Sequence, residues 1–141
     1  MSKAGSGAPV RFAGYAAIFG KVDRGGDLIS PGAFTASIAR RQGEELPLLW
    51  QHRPEARIGT IERIEEDGRG LRVIGRIDGR GETAARATDL LAGGALDGLS
   101  FGYRVVAAEG SSPRRLDTLD IAEVSLVTHP MQPLARVHAV E

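Results

Sequence analysis

The alternation of apolar and polar residues predicts several β-strands in this chain of 141 residues. The clearest is "GLSFGYRV", residues 98–105, where aliphatic or aromatic side chains alternate with glycine, serine and arginine. A period of two is typical of a strand with one face against the core. The other face carries Ser100 between Gly98 and Gly102, and glycine inside a strand often marks the close approach of a ligand or backbone. We therefore expect this face to be cleared for a ligand.

Other segments predict the remaining strands and the loops between them. Further strands are expected at residues 11–19, 46–52 and 119–129, with a last one at 135–140. Residues 56–77 predict a hairpin that turns around Asp67, Gly68 and Gly70. Gly/Asp-rich residues 20–30 and polar residues 107–115 predict loops.

Two segments carry helix signals. Residues 31–41 follow Ser30 as an expected N-cap and begin with Pro31, a residue favoured in the first helical turn. Residues 82–96 predict the stronger helix, with Gly93 and Gly94 ending it. Its apolar side is expected to contain Ala85, Leu90 and Leu91. Six or seven strands with two connecting helices predict an α+β fold, a small and mostly antiparallel β-barrel with flanking helices.

Composition restricts the partners and the number of domains. Lysine plus arginine and aspartate plus glutamate number 18 each, so the formal net charge is zero. No global field then favours nucleic acid or an anionic membrane, and we expect neither as a partner. Cysteine is absent, which excludes disulfides and thiolate metal sites. Residues 1–10 are expected to be a flexible lead-in, and residues 11–141 a single domain.

A serine hydroxyl becomes a strong nucleophile only when a base takes its proton. Histidine is the usual base near neutral pH, and the chain has three: His52, His129 and His138. His52 closes a buried strand beside Trp50. On its own, such a histidine is more often a structural residue that covers the end of the core, so both interpretations stay open.

Glu123 is a carboxylate in the middle of an otherwise apolar strand. Carboxylates are rarely buried without a partner. An ion pair with an arginine is one interpretation, and an acid that orients a histidine is the other. The spacing of His52, Ser100 and Glu123 is not a motif in itself, so a serine hydrolase is one hypothesis beside a purely structural role.

No cofactor or metal site is predicted. The Gly-rich phosphate-binding pattern is absent from the sequence. Asp23 and Asp27 in "DRGGD" could hold a cation, but the further ligands of a calcium loop are missing and a tight turn is favoured.

Five segments together resemble the prohead (capsid maturation) serine proteases of tailed phages, a family distantly related to herpesvirus assemblin. The similarity runs in order from Phe12 to the last strand. The segments are "GYAAIFGKVDRGGDLISPGAF", "LPLLWQH", "IGTIERIEEDGRGLRVIGRI", "LLAGGALDGLSFGYRV" and "DIAEVSLVTHP".

The resemblance implies an assemblin-like barrel and a serine endopeptidase. It implies Ser100 as the nucleophile, His52 as the base and Glu123 as the third member. Assemblins use a second histidine as the third member, so His129 is the competing residue. The implied substrates are scaffold or the scaffold-like segment of the major capsid protein, cleaved inside the immature capsid in the bacterial host cytoplasm. Gene transfer agents carry the same type of protease.

Two further expectations come from the resemblance. Assemblins gain activity on dimerising, so a homodimer is compatible with this chain. The alternative to an enzyme is a non-enzymatic capsid assembly or scaffolding module with the same barrel fold, in which Ser100 merely packs within its strand.

Overall fold

The computed structural model describes residues 9–42 and 44–141. Within these residues the chain forms eight strands and two helices. The strands are β1 (Val10–Ile18), β2 (Asp27–Ile29), β3 (Leu46–Trp50), β4 (Arg53–Glu66), β5 (Gly70–Ile77), β6 (Gly98–Glu109), β7 (Arg114–Val127) and β8 (Val137–Val140); the helices are α1 (Thr35–Arg40) and α2 (Glu82–Ala92). The expected lead-in falls mostly on residues 1–8, which lie outside the described residues.

The strands form one curled sheet in the order β2-β7-β3-β4-β5-β1-β8, with β6 paired to β7. β7 has three partners. β6 pairs along its length, β2 pairs parallel with its start, and β3 pairs parallel near its end. The other strand pairs are antiparallel. The strand-rich fold with two helices is confirmed. Most strand pairs are antiparallel as expected, but the two parallel pairs with β7 make the sheet partly mixed.

The barrel is also less closed than expected. In the described part of the chain, an isolated bridge between Gly98 and Arg136 joins the start of β6 to the segment before β8. A hydrogen bond of 2.9 Å from the Leu99 N–H to the Ala135 carbonyl supports it. No continuous ladder closes the circle within the described residues, so the sheet is a partly open barrel.

The two helices cover parts of the sheet and were predicted with unequal success. α2 ends where expected: Gly93 is its C-cap and Gly94 has a φ of 77°, a conformation that glycine adopts without strain. Its buried residues are Ala84, Ala87 and Leu91, so the expected burial of Ala85 is wrong. Neither helix, in the residues that the structure describes, is long and apolar enough to cross a membrane.

The first helix begins four residues later than expected. Ser30 does not cap it; the Ser30 hydroxyl donates to Asp117 at 3.1 Å, and the Ser30 N–H bonds to the Leu116 carbonyl. These bonds continue the pairing of β2 with β7, which holds residue 30 in an extended chain. The short strand β2 was not predicted, because its three residues lie in a segment rich in glycine and aspartate.

The expected loop at residues 107–115 is a hairpin instead. β6 continues to Glu109 and β7 starts at Arg114, so only residues 110–113 connect the two strands. The long pairing of β6 with β7 places Ser100 and Glu123 on neighbouring strands.

Candidate active site

Ser100 lies near the start of β6, directly opposite Ser125 of β7 in the antiparallel register. Ser100 is buried, with 8% of its surface exposed. The side chain lines a cavity of about 90 Å³ that His52 also lines. The other lining residues are mostly apolar or aromatic: Ala16, Ile29, Phe101, Tyr103 and Met131, with Asp23 and Gln132 as polar members. The serine and one of the three histidines therefore share one small and largely apolar cavity.

His52 lies in the two-residue turn that connects β3 to β4. Both turn residues have positive φ, 52° for Gln51 and 60° for His52. Two positive φ values are typical of the tightest hairpin turns, where asparagine and glycine are preferred. Residues other than glycine pay for this conformation, so the surrounding structure must hold it.

The end of β7 holds this turn in place. The Gln51 N–H bonds to the Leu126 carbonyl at 3.0 Å. The Gln51 side-chain amide donates to the Thr128 hydroxyl at 2.7 Å and accepts from the Thr128 N–H at 3.1 Å. The His52 N–H donates to the Ser125 hydroxyl at 3.1 Å. The histidine backbone is thus attached to the strand that carries Glu123.

Glu123 contacts the imidazole directly. Its Oε2 lies 2.6 Å from Nδ1 of His52, and its side chain is only 14% exposed. Its Oε1 accepts a hydrogen bond of 2.7 Å from the Ser125 hydroxyl. The alternative partner considered for this carboxylate, an arginine, is not seen among the described residues.

The order of the strands explains why these three residues meet. β7 lies between β3 and β6, and β3 runs parallel to it with Leu49 opposite Ser125. The turn after β3 therefore ends beside the end of β7. On the other side of β7, β6 places Gly102 opposite Glu123 and Ser100 opposite Ser125. No hydrogen bond joins the His52 and Ser100 side chains in the described part of the chain.

We expected Gly98 and Gly102, on either side of Ser100, to clear space for a ligand, and the structure shows that this is wrong. A Cβ on Gly102 would collide with the Glu123 carboxylate, with only 2.9 Å to its Cδ. A Cβ on Gly98 would lie 2.5 Å from the Val127 carbonyl oxygen and 3.0 Å from the Pro130 ring. Protein atoms fill both spaces, and Gly102 in particular makes room for the acid that contacts His52.

Gly102→Ala is expected to displace the Glu123 carboxylate from His52 and to lower the reactivity of Ser100 by about tenfold or more. The carboxylate is the mobile end of a long side chain, so it can move without unfolding the sheet. The measurement is the labelling rate of Ser100 by a fluorophosphonate, together with the melting temperature. Gly68→Ala is the control, because a Cβ there meets no atom within 4 Å. Normal labelling in a folded Gly102→Ala protein would contradict this account.

His129 lies beyond the end of β7 and is exposed. It makes no hydrogen bond or ion pair with His52 among the described residues. The geometry therefore brings Glu123, and not His129, to the imidazole.

Two aspartates lie close to the cavity but bind within the protein. Asp23 accepts from the N–H groups of Gly25 and Asp27, at 2.8 and 2.9 Å, which is the tight turn that the sequence favoured. Asp27 pairs with Arg114 through both carboxylate oxygens at 2.9 Å. Burial, and then the charges of Asp27 and Asp23, raise the pKa of the Tyr103 hydroxyl that lines the cavity. No group of three or more metal-ligating side chains occurs in the described residues.

Sequence reasoning missed Ser125, Gln51 and Thr128. Parity along β7 places Ser125 on the same face as Glu123, and this was the available signal. The contacts of Gln51 with Thr128 have no such signal, because they join two chain segments that are 77 residues apart.

Comparison with known proteins shows similarity to viral prohead proteases. The model of the family described as caudovirus prohead serine protease matches residues 1–141. The prohead protease of Enterobacteria phage HK97 is 28% identical over 144 residues, covering 97% of this chain. The chain spans 63% of the length of that relative.

Two solved structures share the fold. A protease of Kaposi's sarcoma-associated herpesvirus, bound to a hexapeptide phosphonate inhibitor, has a TM-score of 0.67 at 16% identity and covers 95% of this chain and 65% of its own. The capsid assembly protease of bacteriophage T4 has a TM-score of 0.67 at 14% identity and covers 83% of this chain and 80% of its own. These two similarities support an assemblin-like fold.

Proposed function

The chain belongs to the caudovirus prohead serine protease family, and from that premise we propose that it is a serine endopeptidase of head maturation. The observation that carries the proposal is the 2.6 Å contact of Glu123 with Nδ1 of His52, on a cavity that His52 shares with Ser100. A nucleophile, a base and an acid that orients the base are the parts that serine proteolysis needs.

In this proposal Glu123 holds the imidazole in the tautomer that carries its proton on Nδ1. The opposite nitrogen, Nε2, is then free to accept the Ser100 proton as Oγ attacks the carbonyl carbon of the scissile peptide bond. His52 passes that proton to the leaving amine, which gives an acyl-enzyme on Ser100. Water, deprotonated by His52, then hydrolyses the ester and restores the serine.

The proposal does not require a hydrogen bond between Ser100 and His52 in this structure. Catalytic hydrogen bonds are often long or poorly aligned before substrate binds. The largely apolar lining of the cavity supports tightening on binding, because exclusion of water strengthens the remaining polar contacts.

The proposed substrates are scaffold or the scaffold-like segment of the major capsid protein, of a phage or a gene transfer agent. The supporting comparison is the name of the HK97 relative, a prohead protease. The proposed place of action is the interior of the immature capsid, in the bacterial host cytoplasm. With a formal net charge of zero, the chain has no global field that would favour nucleic acid or an anionic membrane surface as a partner.

The test is incubation of the protein with its cognate capsid and scaffold proteins, followed by mass mapping of the products. Defined fragments that appear with the wild-type chain and not with Ser100→Ala are the expected result. Intact substrates after incubation with the wild-type chain, in a preparation whose Ser100 reacts with a fluorophosphonate, would reject these substrates but not the enzyme class.

A non-enzymatic assembly module is the alternative function. It is distinguished by fluorophosphonate labelling, which requires an activated serine. A folded chain that does not label at Ser100 would favour the module.

We also propose a homodimer as the active state. The test is light scattering across a concentration series, compared with the labelling rate of Ser100 at each concentration.

Glu123→Gln is expected to lower activity by about 10³-fold or more while the fold persists. The amide keeps the size of the side chain but loses the charge that stabilises the imidazolium. The measurement is the rate of substrate cleavage or of Ser100 labelling. Glu65→Gln is the control, since Glu65 lies on β4 and pairs with Arg63 at 3.4 Å. Full activity in Glu123→Gln would remove this residue from the triad.

A further inference from the structure

We propose that Ser125 is a positioning residue for the reaction, and that its hydroxyl sets the relative placement of Glu123 and His52. One oxygen atom touches both partners. It donates to Oε1 of Glu123 at 2.7 Å and accepts from the N–H of His52 at 3.1 Å. This inference rests on the proposed function, because the geometry that it controls is that of the acid and base.

The first step concerns the rotamer of Glu123. The last torsion of a glutamate side chain has only a broad preference, so contacts decide the orientation of its carboxylate. Here Oε2 faces His52 and Oε1 faces Ser125, so both oxygens have a directed partner. The Ser125 bond therefore selects the orientation that points Oε2 at Nδ1. Without it, Oε1 would have no partner among the hydrogen bonds that the structure shows for this carboxylate.

The second step concerns the backbone of His52. Its φ of 60° and the φ of 52° at Gln51 belong to a conformation that these residue types rarely adopt. The His52 N–H is held by Ser125, while Gln51 is held by Leu126 and Thr128. In the structure the imidazole reaches Glu123 from a turn in this conformation, and Ser125 binds the backbone of the residue that carries the imidazole.

The third step is burial. Ser125 is 0% exposed, so water cannot replace its hydroxyl without entering the sheet. Buried polar groups whose hydrogen bonds are satisfied make the local structure more rigid. Ser125 also lies directly opposite Ser100 in the strand register, so the residue that bonds to Glu123 and His52 is the register partner of the proposed nucleophile.

The chain offers a matched control in Ser37. It is also 0% exposed, donates to a carboxylate, Asp120, at 3.2 Å, and accepts from a backbone N–H, that of Ile121, at 2.9 Å. Ser37 lies on α1 and is not among the residues that line the active-site cavity. Ser37→Ala and Ser125→Ala thus remove the same two kinds of hydrogen bond. Ser37→Ala does so away from the candidate site, and Ser125→Ala does so within it.

The kinetic test is the inactivation of the full chain by a fluorophosphonate, separated into the maximal rate and the concentration for half-maximal rate. Ser125→Ala is expected to lower the maximal rate by about tenfold to a hundredfold with little change in the half-maximal concentration. Ser37→Ala should stay within about twofold of wild type. An equal loss of rate in the two variants, or a wild-type rate in Ser125→Ala, would overturn the proposal.

The spectroscopic test does not depend on activity. The ¹⁵N shifts of labelled histidine report which ring nitrogen of His52 carries the proton, with His52→Ala giving the assignment. The proton should reside on Nδ1 in wild type and Ser37→Ala, and be redistributed towards Nε2 in Ser125→Ala. An unchanged tautomer in Ser125→Ala would overturn the proposal.

The two tests separate this inference from the proposed function. If wild-type Ser100 does not react, the protease assignment fails, while the tautomer of His52 still decides the role of Ser125. Should Ser125→Ala not fold, Ser125→Cys keeps a side chain of similar shape with a weak donor. The cysteine variant is then expected to show the same loss of rate and the same redistribution of the proton, and a wild-type result would overturn the proposal.

Discussion

Ser100→Ala is expected to abolish fluorophosphonate labelling and to lower proteolysis by about 10⁴-fold or more, with the fold intact. Loss of the nucleophile removes the covalent route altogether, so only substrate binding and polarisation of the carbonyl can contribute. The substitution removes one hydroxyl from a strand residue that is 8% exposed. Its cost in the free energy of unfolding should therefore be at most about 1 kcal/mol.

The experiment compares substrate cleavage and melting temperature in the wild-type chain and the variant. Ser111→Ala is the control, because Ser111 is exposed in the connection between β6 and β7. It should label and cleave like the wild type. Near-normal cleavage by a folded Ser100→Ala protein would end the serine protease assignment, including the mechanism that assigns a proton transfer to His52.

Elements with strong local patterns could be predicted from the sequence. The apolar run of β3, the period of two in β6 and the Asp67 turn between β4 and β5 all appear in the structure where the pattern indicated. Each depends on residues that are neighbours in the chain. β2 could not be predicted in this way, because its three residues form a strand only through pairing with β7. The parallel partners of β7 likewise depend on contacts that local periodicity does not contain.

In the candidate site, too, the residues could be predicted from the sequence but their contacts could not. Ser100, His52 and Glu123 could be selected from their residue types, their strand positions and the family resemblance. Their contacts could not, since β7 must lie between β3 and β6 for the acid to meet the histidine. The wrong expectation about Gly102 has the same origin. The sequence indicates that a side chain is missing there, and only the pairing with Glu123 shows which atoms use the space.

The positive φ values at Gln51 and His52 had no signal in the sequence. Turns with two positive φ values usually contain asparagine or glycine, which makes them recognisable in a sequence. Here hydrogen bonds to β7 hold two residues that do not favour the conformation, and strained backbone of this sort is concentrated at functional sites. The position of His52 is therefore a result of tertiary contacts.

His52→Ala is expected to be about as damaging as the loss of Ser100, because the members of a triad act as a unit. Without the imidazole the proposed base for the Ser100 proton is lost. Oε2 of Glu123 also loses its partner, while Oε1 stays bonded to the Ser125 hydroxyl. The variant should neither cleave substrate nor label at an appreciable rate. Because the His52 side chain is 41% exposed, its truncation should leave the protein folded, with a melting temperature lowered by the loss of the Glu123 contact.

The control for this variant is His129→Ala. His129 is exposed beyond the end of β7, so its loss should leave cleavage within about threefold of wild type. Both variants remove one imidazole, and of these two rings only that of His52 hydrogen-bonds to Glu123 in the part of the chain that the structure describes. An active His52→Ala with an inactive but folded His129→Ala would make His129 the essential histidine. The contact of His52 with Glu123 would then be structural, and the base would have to be sought beyond the end of β7.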